Sequence, residues 1–326
     1  MSVIVPARDA GRCIGACIDG LMIAGFAPAE ITVVDDGSHD DTAQIARSRG
    51  VGLLQHATPR GAAAARNAGA AATSGNVIVF VDADVVVAPE ARCEIAEFFR
   101  DNVDYAAMFG AYDAAPAASG SVSRIRNLLH RHVHLENAGD ATTFWSGCGA
   151  VRRATFDAVG GFDSNLRMME DVALGMTMHA QGHRVRLVPS LQGKHLKRWT
   201  LASMARADLF DRAIPWARLL QSAPARMSET TLNVSPAGRL SVGSVALSLF
   251  GVMAVPFAPV TGTALAFLAV GGLILANAAF LGRLRTEGRA GDRMVAIPVL
   301  WVHYFCAGAG FGWVIFQSLL RCTDAR

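Results

Sequence analysis

From residue 2 to about 112 the apolar positions gather into short runs rich in β-branched residues: Val3-Ile-Val5, Ile31-Thr-Val-Val34, Val51-Gly-Leu-Leu54, Val77-Ile-Val-Phe-Val81 and Tyr105 to Ala111. Ala-rich stretches of helical character separate them. This alternation predicts βαβ units, hence an α/β domain with a mostly parallel central sheet and helices on both faces. Local punctuation agrees: Ser38 with Asp41 resembles a capping box opening a helix over 39–49 with Gly50 as its stop, and Pro89 suits the first turn of a helix over 89–100.

Beyond 112 the pattern is less regular. Ala114 to Ser123 reads as loop and Arg124 to Asn137 as a helix carrying His130, His132 and His134. Three His spaced two apart cannot share one helix face, so a solvated or membrane-facing surface is expected there rather than a metal site. A strand region from Thr143 to Val151, a helix from Ala154, a break at Gly160-Gly161, a helix from Met169 to Gln181 and a strand from Arg184 to Val188 follow. Residues 200–220 place Leu201, Met204, Leu209, Phe210, Ile214, Leu219 and Leu220 on one side. Trp199, Trp216 and three Arg flank or interrupt them. This predicts an amphipathic helix at a membrane interface or against the preceding domain, broken or kinked at Pro215.

The last third changes character. Residues 240–282 and 294–320 contain no Asp, Glu, Lys or Arg. As helix, at 1.5 Å per residue, these runs would extend ~65 Å and ~40 Å against a hydrocarbon core of ~30 Å, which predicts two crossings and one. The expected spans are about 240–258, 262–282 and 294–320. Pro256, Pro259, Thr261 and Gly262 make the first turn, and the loop from Arg283 to Arg293, with four Arg and two acids, lies in the cytoplasm by the positive-inside rule. The predicted organisation is a cytoplasmic domain over 1–199, an interfacial segment and linker over 200–239, and a membrane region over 240–320.

Bulk composition supports this: 52% of residues are hydrophobic and only 17% charged, where soluble domains average ~25% charged. The net charge of +3 comes entirely from the tail after 239, which argues against a nucleic-acid partner. Cys13, Cys17, Cys93, Cys148, Cys306 and Cys322 form no C-x-x-C pair, as expected of free thiols in a reducing compartment. The opening residues read as a strand rather than a signal peptide, so the first 239 residues are expected to remain in the cytoplasm of a multi-pass inner-membrane protein.

Candidate chemistry sits at strand ends, where open α/β sheets bind ligands. Val33-Val-Asp-Asp-Gly-Ser38 ends one strand with Asp35 and Asp36; Val79-Phe-Val-Asp-Ala-Asp84 ends another with Asp82 and Asp84. Alternate residues of an extended segment face the same way. Asp82 and Asp84 therefore either share a divalent cation, or one holds the cation and the other a sugar hydroxyl; hard oxygen ligands favour Mg or Mn. Arg60 to Gly69 opens a helix whose N-terminus and Arg66 suit phosphate oxygens. Glu170-Asp171 heads another helix and offers a general base, or merely dipole partners. His195-Leu-Lys-Arg198-Trp199 joins a potential metal ligand to an anion-binding guanidinium, or serves as a basic anchor beside a membrane.

Taken in order, these motifs resemble the family 2 inverting glycosyltransferases with the GT-A fold. The resemblance runs from Val3 to about Trp199 through Val-Ile-Val-Pro-Ala-Arg-Asp9, Val-Asp-Asp-Gly-Ser38, Arg-Asn-Ala-Gly69, Asp-Ala-Asp84, Ser-Gly-Cys-Gly149, Val-Gly-Gly-Phe-Asp163, Glu-Asp171 and Arg-Trp199. It implies that Asp35 and Asp36 contact base and ribose in a pocket lined by Pro6 and Ala7. It also implies that Arg66 lies near the diphosphate, Asp82 touches ribose or sugar, Asp84 binds Mg or Mn, and Asp171 is the catalytic base. Processive relatives carry Gln-x-x-Arg-Trp where this chain has His195-Leu-Lys-Arg198-Trp199, which makes His195 a candidate metal or diphosphate contact and Arg198 and Trp199 donor-site residues. The expected activity is transfer of one sugar from a nucleotide sugar, a UDP-sugar foremost, to a hydroxyl or phosphate of a lipid or lipid-linked acceptor of the cell envelope. A processive polysaccharide synthase is the alternative, followed by a nucleotidyltransferase and a non-catalytic membrane scaffold.

Overall fold

A computed structural model describes residues 1–222 and 235–324; most of the linker expected before residue 239 lies outside the described residues. The chain forms two compact units. One comprises Met1–Ala118 and Val133–Lys197; the other comprises Ser119–His132 and the residues from Arg198 onward.

In the first unit, nine strands among the described residues form one sheet. Strands β1 (Ser2–Ala7), β2 (Ile31–Asp35), β3 (Gly52–Gln55) and β4 (Val77–Val81) lie in the order β3-β2-β1-β4 and are parallel throughout. Between them run α1 (Ile14–Ile23), α2 (Thr42–Ser48) and α3 (Ala62–Ala71). Val3, Ile4 and Val5 are fully buried, as continuous β-branched runs covered on both faces should be. The close fit of α3 depends on Gly69: a Cβ there would stand 2.4 Å from Ile4 Cγ2, so only glycine lets the helix press onto β1.

Beyond β4 the sheet mixes directions. It continues through β8 (Cys148–Arg152), β6 (Tyr105–Tyr112), β9 (Arg184–His195) and β5 (Val85–Val87), with β7 (Gly139–Ala141) also paired to β9. β8 is antiparallel to both β4 and β6, β9 is parallel to β6, and β5 and β7 are antiparallel to β9. Helices α4 (Ala91–Asp101), α6 (Arg153–Ala158) and α7 (Glu170–Ala180) belong to this unit, and α5 (Ser121–Glu136) divides between the two units after His132.

Several sequence expectations need correction. No capping box forms at Ser38: its hydroxyl accepts the Asp9 N–H, Asp40 takes the Thr42 N–H, and the helix starts at Thr42 rather than 39. Pro89 precedes its helix, which opens at Ala91. The strand expected over 143–151 begins only at Cys148, leaving 142–147 as a turn. β9 runs seven residues past Val188; Pro189, Ser190, Gln192 and Lys194 break the apolar run, yet β5 and β6 supply its pairing. His134 is not on a solvated or membrane-facing surface. It is buried against Phe109 and Trp145 with Nδ1 2.8 Å from the Gly110 carbonyl, and desolvation pushes its pKa down to about 4.

The second unit is helical. After α8 (Leu201–Arg206) a π-helical stretch, Ala207–Ala213, leads into α9 (Ile214–Ser222). Pro215 therefore does not break the segment: it sits in the first turn of α9, and the Ile214 N–H reaches back five residues to the Leu209 carbonyl, the register of a π-bulge. Then come α10 (Pro236–Ala254), α11 (Pro259–Ala276), α12 (Ala278–Glu287) and α13 (Asp292–Asp324). α10, α11 and α13 are long and apolar enough to cross a membrane. Arg283 and Arg285, expected in a loop, belong to α12, so the non-helical connection shrinks to 288–291.

Gly251 and Gly262 bring α10 and α11 together, since a Cβ on either would meet backbone at 2.7 Å. Hydrogen bonds join the helices: Asn277 donates to Ser241 Oγ at 2.9 Å, Tyr304 to Asn277 at 3.0 Å, and the Trp301 indole to Ser248 at 2.9 Å. Deeper in this unit Asp208 is held by Arg126 and lies 2.8 Å from His303 Nδ1, and Arg124 grips Asp292 with two hydrogen bonds of 2.6 and 2.9 Å.

Candidate active site

The parallel half of the sheet delivers its acidic residues to one edge. Ala7 ends β1 in register with Asp35, which ends β2, and the next N–H, that of Asp36, donates to the Ala7 carbonyl at 2.8 Å. Pro6 and Ala7 thus flank the acidic pair. Asp35 accepts from the Ser38 N–H and from Gln55 at the end of β3, each at 3.0 Å. Asp36 accepts the Arg60 and Gly61 N–H groups at 2.8 Å and has His56 Nδ1 at 2.7 Å. Burial works against its charge, but these partners hold its pKa below the usual carboxylate range. The pair therefore shapes the 56–61 loop that feeds α3, while each carboxylate retains lone-pair sites for a ligand. His56 was missed in the sequence: it follows β3, a half-exposed strand with no continuous apolar run to mark its end.

Arg66 stands four residues into α3 and is buried. Its guanidinium donates to Asp82 at 2.8 Å and to Glu170 at 2.6 Å, and lies over the Phe162 ring 5.4 Å from its centroid. Burial disfavours its charge, but Asp82, Glu170 and Asp171 outweigh that and raise its pKa. Asp82 begins the turn after β4, where its N–H donates to the Gly147 carbonyl at 3.2 Å.

Two residues on, Asp84 faces His195 Nε2 at 3.4 Å. The antiparallel pairing of β5 with β9, which sets Val85 opposite His195, makes this meeting possible. His195 stacks on Tyr112 with centroids 4.5 Å apart, and Tyr112 meets Trp145 edge-on at 4.9 Å. Burial opposes charge on Asp84, but the hydrogen bond and charge of His195, with Lys197, hold its pKa down. Tyr112 ends β6 as Asp35 ends β2, and the sequence reading passed over it.

Asp171 is the second residue of α7, whose N-cap Met169 adopts a left-handed φ of 66°, a strained conformation for a non-glycine residue. The Asp171 carboxylate accepts the Ser146 N–H at 3.2 Å and the N–H of the next residue, Val172, at 2.8 Å. Desolvation, with Glu170 beside it, pushes the Asp171 pKa up to about 6. A carboxyl poised there is suited to proton transfer near neutrality.

The donor set at Asp84 fits a small hard cation only in part. Asp84 and His195 are spaced like neighbouring ligands on Mg or Mn with ~2.1 Å bonds. Among the described residues, no group of three His, Cys, Asp or Glu could hold a metal ion. Two protein ligands completed by phosphate oxygens and water match the usual habit of Mg at nucleotide sites. Arg198 and Trp199 belong to the second unit. There Arg198 is exposed, and Trp199 packs against a cluster including Ile125, Met204 and Phe280, with its N–H donating to Ser123 Oγ at 2.8 Å.

Residues 2–160 match the family described as glycosyl transferase family 2. The chain is 31% identical over 118 residues to the UDP-Glc:alpha-D-GlcNAc-diphosphoundecaprenol beta-1,3-glucosyltransferase WfgD of Escherichia coli, covering 35% of this chain and 46% of that protein. It is 24% identical over 217 residues to the O-antigen chain rhamnosyltransferase RfbN of Salmonella typhimurium, covering 61% and 67%. For several curated relatives the chain spans only about a quarter to a half of their length. Among solved structures, a Pyrobaculum calidifontis mannosyltransferase in complex with GDP-Man and Mn2+ superposes with a TM-score of 0.55 at 18% identity, covering 96% of this chain and 86% of that one. The sheet, the family match and the relatives agree: the chain carries a glycosyltransferase family 2 domain of GT-A fold, followed by helices apolar enough to span a membrane.

Proposed function

We propose that this enzyme transfers a single sugar, with inversion, from a nucleoside diphosphate sugar to a hydroxyl or phosphate of a lipid-linked acceptor at the cytoplasmic face of the plasma membrane. One observation carries the catalytic part: Arg66 joins Asp82 to Glu170 through hydrogen bonds of 2.8 and 2.6 Å. The acidic strand end and the helix bearing Asp171 are therefore parts of one site. Asp35 and Asp36, beside Pro6 and Ala7, hold the nucleoside, and Asp82 contacts the ribose or the sugar; the roles of Arg198 and Trp199 toward the donor rest on the Arg-Trp motif alone. Asp171 takes the acceptor proton. The freed oxygen bonds to the anomeric carbon as the carbon–oxygen bond to the diphosphate breaks, and that electron pair leaves on the diphosphate. Asp84 and His195 would hold Mg or Mn, whose charge neutralises the departing diphosphate.

The acceptor class is supported by the apolar helices and by the relative whose name specifies a diphosphoundecaprenol-linked substrate and a UDP-sugar. Phe257, Val260, Phe267 and Leu275 expose 74% to 90% of their surface, which suits lipid contact. Arg283, Arg285, Arg289 and Arg293 favour a cytoplasmic α12–α13 connection. In a background without native thiols, Ala290→Cys should then resist impermeant thiol reagents in intact cells, and rapid labelling would reverse the topology.

Detergent-purified protein, Mg or Mn, a panel of nucleotide sugars and a polyprenyl-diphosphate acceptor test the activity. The expected result is release of nucleoside diphosphate with a mass gain of one sugar. A ladder of products would establish processive synthesis, pyrophosphate release a nucleotidyltransferase, and no turnover with any donor would remove the enzymatic reading of this site.

A further inference from the structure

Arg66 stands out because the resemblance assigns it to the diphosphate, whereas its guanidinium is buried and engaged on both arms by protein carboxylates. Tracing contacts outward gives a closed circuit. Arg66 holds the Asp82 carboxylate, the Asp82 N–H donates to the Gly147 carbonyl, and the Ser146 N–H donates to the Asp171 carboxylate. Asp171 is bonded to Glu170, and Glu170 returns to Arg66 at 2.6 Å. Four segments meet in it: α3, the turn after β4, the 142–147 turn and the head of α7. At 147 a Cβ would collide with the Trp145 ring at 2.5 Å, so the turn is tightly specified.

We propose that Arg66 and Glu170 are positioning residues for Asp171: the guanidinium fork fixes the head of α7 relative to the Asp82 strand end, and the Glu170 charge sets the electrostatic environment in which Asp171 accepts a proton. This rests on the reading of Asp171 as the base that deprotonates the acceptor.

The physical grounds are three. A guanidinium is a rigid planar fork, so two carboxylates bonded to its two arms are held at a fixed separation, which a lysine ammonium on a flexible stem cannot reproduce. Met169 enters α7 through a left-handed conformation, so the helix head needs an external tie to stay where it is. Among the described residues the charged and polar groups facing Asp171 are Glu170 on its own helix, Arg66 from α3, the Ser146 N–H and hydroxyl from the 142–147 turn, and the Val172 N–H. Of these, Glu170 repels a second negative charge, while Arg66 and the N–H donors favour it.

The test is a set of kcat and donor KM profiles against pH for wild type, Glu170→Gln, Arg66→Lys and Asp171→Asn, each checked for a cooperative thermal transition. Glu170→Gln keeps an oxygen for Arg66 but removes the like charge, so the acidic limb of kcat should move down by at least about half a pH unit while donor KM stays within about threefold. Arg66→Lys keeps the charge but loses the fork, so kcat should fall at least tenfold at pH 8 with donor KM again nearly constant. An unmoved limb in Glu170→Gln overturns the proposal. If that variant does not fold, the Arg66→Lys split decides, and a raised donor KM with unchanged kcat would make Arg66 a donor contact instead. Asp171→Asn at near wild-type rate would instead overturn the base assignment on which the inference rests.

Discussion

Each unit buries a carboxylate beside an arginine, and the two arrangements end differently. In the helical unit Asp208 is held by Arg126 and His303, with Arg212 3.9 Å away, and Arg124 closes on Asp292 with both arms. Each acid there is matched by surrounding cations. In the sheet unit Arg66 serves two acids, and Asp171 beyond them has backbone and hydroxyl donors but, among the described residues, no cation in contact. A saturated pair can only hold a structure together, because breaking it exposes an uncompensated buried charge. An acid supported but not neutralised keeps its ability to exchange a proton, and burial then moves its pKa toward the working range.

The largest expected effect is at the unsaturated site. Asp171→Asn preserves shape and hydrogen bonding but is essentially non-basic, so turnover should fall 10²-fold or more, within the range general bases contribute. Nucleoside diphosphate affinity by calorimetry should remain within a few-fold, because Asp36, Asp82 and Asp84, not Asp171, are assigned to the donor. Near wild-type transfer by this variant would erase the functional difference between the two networks.

The saturated network should show the reverse pattern. Asp208→Asn leaves Arg126 without its counter-charge, and disrupting a buried pair costs ~3–5 kcal/mol. Thermal stability should drop substantially, while kcat per folded molecule at permissive temperature stays within about threefold. A selective loss of kcat with unchanged stability would mean that the helical unit takes part in chemistry.

This contrast also marks how much was readable in advance. Asp35, Asp36, Asp82, Asp84 and Asp171 were visible because each ends an apolar run or opens a helix, a local signal. The strands of the parallel half were visible for the same reason. What escaped depends on partners far away in sequence. The second half of β9 is polar-interrupted and becomes a strand only by pairing with β5 and β6. His134 looked like a surface residue until Phe109 and Trp145 covered it. The pairing of Arg66 with Glu170 spans 104 residues of chain, and no spacing rule could announce it.

The smallest effect, and the one that sharpens the comparison most, is the pH response between 7 and 5. With its pKa at about 6, Asp171 is deprotonated and able to act above that value, so turnover should be half-maximal near pH 6 and about tenfold below its plateau by pH 5. Unfolding at low pH would mimic this loss, but the signs oppose each other. Asp171 is raised in the folded state above the ordinary carboxylate value, so the folded form takes up this proton first, and stability is gained as pH falls through 6 toward 4. Buried His134 is depressed from 6.5 to about 4, so the unfolded form protonates first there, and the stability it contributes above 6.5 is lost over the same interval. Because these two contributions oppose each other, the activity loss should be fully reversed on return to pH 7.5, with the thermal transition at pH 5 still cooperative. Irreversible loss tracking a fall in the transition temperature would assign the limb to His134 and packing rather than to the base.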